Sequence, residues 1–264
     1  MPLRQAVVAR LRDPWFRIAL ALTFLAPLAA LVYLVVERGE LAGVPPHFML
    51  VHMGSSAIGL LPMLVFFMAA SAPEAATRRQ LLTDHAADLA MLAAAFALGW
   101  GVPALGVLLF LGATPMTALA LGVYLVEVAL LLAAWRAVAA VVDRPGLDAG
   151  QLHRRLFLAW LLLAVLLPFV SQAGYASAFR AAGFPPWVLL ADALSPESAF
   201  TALAGTTFPG AVVLVPSDGP AWHSPWTYGL LLLAWAVLPL LLALRRRPAE
   251  APPAEPPQDA GAQA

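Results

Sequence analysis

Six stretches of the chain lack any Asp, Glu, Lys or Arg for long enough to bear on how it meets a bilayer. They are residues 18–36, 53–73, 89–111, 116–126 (resuming to 141 around Glu127 and Arg136), 156–179 and 224–244. A helix rising about 1.5 Å per residue crosses the hydrocarbon with roughly 20 such residues. If all six cross, the arginines fall largely on one side. Arg4, Arg10, Arg12 and Arg17 precede the first span, and Arg78 and Arg79 lie between the second and third. Arg144, Arg154 and Arg155 lie between the fourth and fifth, and Arg245, Arg246 and Arg247 follow the sixth. The opposite side holds Arg38 and Arg180. Since basic loops stay cytoplasmic, the pattern predicts an all-α polytopic membrane protein of six transmembrane helices, N-in and C-in.

Composition narrows the chemistry. With 62% hydrophobic and 11% charged residues, a water-soluble fold would lack the polar surface to cover itself. There is no cysteine, so disulfides, thiolate metal sites and cysteine nucleophiles are excluded. No lysine occurs either, which removes Schiff-base chemistry and the lysine of a phosphate-binding loop. No HExxH, GxSxG or Gly-rich phosphate loop is present, so the chain is expected not to be an enzyme and to hold no cofactor of its own. The zero net charge gives no reason to expect nucleic acid as a partner. The first apolar run is too long for a signal-peptide core, and Glu37-Arg38-Gly39-Glu40 stands where small cleavage-site residues would be, so it reads as a retained helix.

Three regions emerge. Residues 1–15 read as a cytoplasmic amphipathic helix, with Leu3, Val7 and Leu11 recurring on one face and Pro14 breaking it. Residues 16–247 form the transmembrane domain, and 248–264 is a Pro/Ala tail expected to be disordered. The connection over 174–225 is predicted to be extracytoplasmic yet mostly apolar, and Pro185, Pro186, Pro196 and Pro209 cut it into pieces too short to cross. Short re-entrant or interfacial helices on the outer mouth of the bundle, between spans five and six, fit that pattern. Ser195-Pro196 reads as a helix cap followed by a first-turn proline.

Two groups of side chains invite a function. Glu127 lies near the middle of span four, where a carboxylate cannot easily reach water and marks a candidate substrate path; hydrogen bonding at a helix interface is the alternative. Arg136 lies near the cytoplasmic end of the same span, on the opposite face, and is expected to snorkel outward. At the outer end of span two, His47, Met49, His52 and Met53 form a soft donor set of the kind that suits Cu(I), although such residues are also ordinary packing at a membrane boundary. The cytoplasmic segment 71–88, with Glu74 four residues before Arg78, reads either as a docking helix or as a solvated extension of span three.

These parts, in this order, resemble the ABC-2 type permease subunits of ATP-binding-cassette transporters. QAVVARLRDPWFRIALALTFLAPL matches an amphipathic helix leading into span one, and TRRQLLTDHAADLAMLAAAFALG a coupling segment after span two. Leu194-Ser195-Pro196-Glu197-Ser198-Ala199-Phe200 matches an element before span six, and WAVLPLLLALRRR a closing helix with its arginine cluster. The acidic stretch usual before the coupling helix is reduced to Ala72-Pro73-Glu74-Ala75-Ala76-Thr77, and Val141-Val142-Asp143 replaces a polar element at the end of span four. The size and layout are similar to the permeases that serve nitrous-oxide-reductase copper-site maturation.

The resemblance implies the permease subunit of an exporter in a prokaryotic cytoplasmic membrane, as a homodimer driven by a separate cytoplasmic ABC ATPase that binds the ATP. Glu74, Arg78, Arg79, Gln80 and Asp84 would then dock on that ATPase. Ser195, Pro196 and Phe200 would belong to an extracytoplasmic cap. Other classes stay open: a membrane-embedded metalloenzyme-assembly or copper-handling protein acting without an ATPase, and a purely structural membrane subunit.

Overall fold

The computed structural model describes residues 3–36, 51, 61–62, 65–66, 75, 77–111, 115–143, 146–180, 183–208 and 220–249. Among them all regular structure is helical. Helix α1 spans Leu3–Arg12, α2 Pro14–Val36, α3 Arg78–Leu111 and α4 Pro115–Val142. Helix α5, Ala149–Trp160, continues through a π-helical segment, Leu161–Leu166, into α6, Leu167–Arg180. Two short helices follow, α7 at Trp187–Ala193 and α8 at Pro196–Thr207, and then α9 at Pro225–Arg245. Among the described residues, 4 helices are long and apolar enough to cross a membrane: Arg78–Val102, Leu119–Val142, Ala149–Ala178 and Pro225–Arg245. The His47, Met49, His52 and Met53 cluster, Glu74 and the tail from 250 onward lie outside the described residues.

Side-chain caps set several boundaries, of which the sequence pointed to Ser195. Asp13 separates α1 from α2: its side chain accepts from the Trp15 amide at 2.9 Å, and Pro14 opens the next helix without needing a donor. Ser195 caps α8 by accepting from the Ser198 amide, and Ser224 caps α9 by accepting from the Thr227 amide, each with proline at the next position. Helix α3 carries straight on through Gly99 and Gly101. At Gly99 α2 comes close, since a Cβ there would lie 2.1 Å from the Phe24 carbonyl oxygen. The glycine therefore serves backbone approach between two helices.

Helix α4 is the centre of the bundle. Of an apolar 18-residue window within it 61% is buried, against 11% for the corresponding window of Ala149–Ala178 at the periphery. Its alanines let α9 lie close, and Tyr124, Val128, Leu131, Leu132 and Trp135 fill the space toward α3, α8 and α9. Phe66 meets the edge of Trp135 at a centroid distance of 5.4 Å.

Helices α7 and α8 form a hairpin that enters this bundle. Descending, α7 lies along α6: Val188 and Trp187 sit over Gly174, where a Cβ would meet Val188 Cγ2 at 2.4 Å, and Asp192 meets Ser171. Ascending, α8 lies along α4: Glu197 meets Trp135, Phe200 meets Tyr124, and Phe208 meets the same tyrosine further on. The apex at Leu194-Ser195 reaches the middle of the neighbouring helices. Trp235, midway along α9, donates Nε1 to the Ala193 carbonyl at 2.9 Å, and Ser195 Oγ donates to the Leu163 carbonyl inside the π-segment. A helix end buried this deep needs internal partners for its free backbone groups; Trp235 supplies one for the Ala193 carbonyl, and Ser195 Oγ, accepting from the Ser198 amide, supplies one at the start of α8.

Candidate functional site

The hairpin apex gathers buried polar groups of the bundle. Asp192, fully buried near the end of α7, accepts from Ser171 Oγ at 2.5 Å on Oδ1 and from Tyr175 Oη at 2.6 Å on Oδ2. Tyr175 Oη lies 3.0 Å from Tyr228 Oη, and Tyr228 Oη lies 3.0 Å from His223 Nδ1. Both tyrosines are fully buried, whereas His223 is half-buried at the start of α9. Phe184 and Trp222 pack around the imidazole, with centroids 4.9 and 6.2 Å away. On the other arm, Glu197 accepts from Trp135 Nε1 at 3.2 Å. Two acids thus flank the apex, each with neutral donors as its hydrogen-bond partners.

A second buried cluster joins α1, α3 and α4. Arg10 Nε lies 2.9 Å from Asp88 Oδ1, and Arg136 Nε donates to Asp88 Oδ2 at 2.8 Å. All three residues are buried, and two guanidiniums on one carboxylate leave a positive excess. Asp84, one turn earlier and half-buried, is within electrostatic reach of both arginines. His85 is buried beside them with Nδ1 lacking a hydrogen-bond partner. Arg136 therefore does not snorkel, as its position near a helix end suggested. A carboxylate on the adjacent helix makes burial the better arrangement.

The basic helix ends form a third contact set. Arg247 is buried, donates Nε to the Ala75 carbonyl at 2.8 Å, and pairs with Asp143 at 3.1 Å. Arg78 donates Nε to the Arg247 carbonyl at 2.8 Å. The start of α3 and the ends of α4 and α9 are thereby tied at one end of the bundle.

Against these clusters the expected site residues fall as follows. Arg78, Arg79, Gln80 and Asp84 occupy the first two turns of α3, so this part of segment 71–88 continues a spanning helix rather than standing apart from it. Arg79 is exposed, while Arg78 is engaged with the C-terminal arginine cluster. Ser195, Pro196 and Phe200 are buried at the hairpin apex and along α4. Glu127 is buried on α4 with Oε2 unpartnered, and Thr207 Oγ1 at the end of α8 is likewise unpartnered. Among the described residues, no group of three or more His, Cys, Asp or Glu is arranged to hold a metal ion.

Sequence reasoning passed over Asp192, Tyr175, Tyr228, His223, Asp88 and Arg10. Asp192 carried a usable signal, being a lone acid in the apolar run Trp187–Leu194. The tyrosines carried none, since aromatic residues near span ends read as interfacial anchors.

Comparison with known proteins gives no match, neither to a family model nor to a curated relative.

Proposed function

We propose that the chain is a multi-pass permease of a prokaryotic cytoplasmic membrane, with six spans and both termini cytoplasmic. In this reading it is the membrane subunit of an ABC exporter, a homodimer worked by a separate ATPase. The observation that carries the reading is the α7–α8 hairpin, which brings Asp192, Ser195 and Glu197 to mid-bundle between α4, α6 and α9. Buried acids and a broken, re-entrant backbone within apolar helices are costly, and they mark transport paths in membrane proteins more than structural ones. The apex coincides with Leu194–Phe200, one of the elements on which the family resemblance rests. The convergence of Arg78 and Arg245–Arg247 at one end supports the charge-derived orientation. Glu127, facing the end of α8, is the further candidate for the path.

Two experiments test this. Because the chain has no cysteine, single cysteines can be introduced and labelled without background. Cysteines after Arg247 and at 146–150 are expected to react from the cytoplasm and those at 217–220 from outside; a cytoplasmic reaction at 217–220 sinks the six-span topology. For coupling, Arg79→Glu is expected to weaken co-purification of an ATPase encoded in the same operon while insertion is kept. Unchanged association and unchanged transport, or an operon without such an ATPase, counts against the ABC reading.

A further inference from the structure

The hydrogen bonds from His223 to Asp192 can all be satisfied at once in a single direction. Tyr175 donates to Asp192 Oδ2 and has one hydroxyl proton, so the 3.0 Å contact of the tyrosine pair is a hydrogen bond when Tyr228 is its donor; the Tyr228 hydroxyl also interacts with Asp192. Tyr228 has then spent its own proton, so His223 must donate through Nδ1. Every donor therefore points from the half-buried imidazole toward the fully buried carboxylate.

The surroundings suit proton passage. Phe184 and Trp222 crowd His223, and the two tyrosines beneath it are sealed from solvent, so water reaches this chain of groups first at the imidazole. Helix α6 contributes Ser171 and Tyr175 to the surroundings of Asp192, α9 contributes Tyr228, and α8 carries Glu197, which is turned to Trp135 on α4. Among the described residues no arginine pairs with Asp192; the ion pairs are Arg10–Asp88, Arg136–Asp88 and Arg247–Asp143. A buried carboxylate with hydroxyl donors and no counter-ion gains by taking up a proton.

We infer that Asp192 is a proton-binding site at mid-bundle, loaded from the end where α9 begins through His223, Tyr228 and Tyr175. The step balances without any oxidant or other reactant. A solvent proton adds to His223 Nε2, and the Nδ1 proton passes to Tyr228 Oη. The Tyr228 hydroxyl proton moves to Tyr175 Oη, and the Tyr175 proton moves to Asp192 Oδ2. One proton has then entered, Asp192 is neutral, His223 is neutral as the other tautomer, and every hydrogen bond in the chain has reversed. Release of the proton by the reverse path restores the first arrangement. The inference goes beyond the permease reading and uses neither cargo nor ATPase, so the two stand or fall separately.

The same bonds could merely fasten the hairpin, and Tyr228→Phe separates the two roles. It cuts the chain in the middle and keeps the hydrogen bonds of Asp192 to Ser171 and Tyr175, while removing the direct interaction of the Tyr228 hydroxyl with the carboxylate as well, so the rate of the band and not its final position is the readout. The test is a pH jump on the full chain in liposomes, followed by the infrared carboxyl band that is absent from Asp192→Asn. Tyr228→Phe is expected to slow the appearance of that band by about tenfold or more, the rate effect of roughly 1.4 kcal/mol in barrier. Should Asp192→Asn fail to fold, the band is assigned instead by its frequency shift in Tyr175→Phe. Nitrogen NMR of labelled His223 is expected to show its tautomer changing together with the band. A band that rises equally fast in Tyr228→Phe, the lack of any titrating band from Asp192, or a fixed His223 tautomer would each overturn the inference.

Discussion

Arg10 on α1 and Arg136 on α4 share the carboxylate of Asp88 on α3, at 2.9 and 2.8 Å. One buried acid thus fixes the N-terminal helix α1 to two membrane-length helices. Removing the acid strands two guanidiniums, whereas removing either arginine leaves a pair. Asp88→Ala is expected to destabilise the fold by about 3–5 kcal/mol, and Arg10→Met by clearly less. Unfolding titrations in mixed detergent micelles measure both, and equal losses would contradict the shared-carboxylate account.

The two glycines of α3 offer a paired comparison on one helix. Gly99→Ala puts a methyl against the Phe24 backbone, which cannot rotate away, and is expected to cost about 1–3 kcal/mol as α2 is displaced. Gly101 has open space around its Cβ position, so Gly101→Ala is expected to be neutral or to stabilise by up to about 1 kcal/mol through helix propensity. Thermal melting in detergent ranks the two, and the reverse order would refute the close approach.

At the hairpin apex, Ser195→Ala removes the cap of α8 and the donor to Leu163 in one change. The expected loss is about 1–2 kcal/mol. Trp235→Phe keeps the ring but leaves the Ala193 carbonyl without its donor, at an expected cost of about 1–3 kcal/mol. Protease protection of the 183–208 segment is the direct readout. Both variants are expected to be cleaved there sooner than wild type while α1–α4 stay protected.

The three C-terminal arginines are not equivalent. Arg247 is buried and holds the Ala75 carbonyl and Asp143, whereas Arg245 is exposed. Arg247→Ala is expected to destabilise by about 2 kcal/mol or more, while Arg245→Ala stays within about 0.5 kcal/mol. Equal effects in a stability assay would mean that only the summed charge matters.

Much of this architecture could be read in advance because its determinants are local. Uncharged length marks the four membrane-length helices, Pro14 marks a break and Ser195-Pro196 a helix start, and the apolar pieces too short to cross include the short helices α7 and α8. The clusters were not legible for the opposite reason. Asp88 is 48 residues from Arg136 and 78 from Arg10, and no pattern within one sequence joins them. Arg136 read alone is a snorkelling residue, and Tyr175 and Tyr228 read alone are interfacial anchors. Only the packing of α7 against α6 and of α6 toward α9 turns Asp192 and the two tyrosines into one chain.

The π-helical segment Leu161–Leu166 acts as a phase adjuster for the helix that follows it. A wide turn holds one residue more than the α ladder needs, so everything after it is rotated relative to an uninterrupted helix. Deleting a single residue there, such as Val165, would let the ladder close as plain α-helix and turn α6 by roughly 100°. Ser171 and Tyr175 would then swing away from Asp192, and Gly174 would no longer lie beneath Trp187. The sidedness of α6 is thus set by a single surplus residue rather than by the composition of α6, and a length change of one there would undo what many substitutions would leave standing.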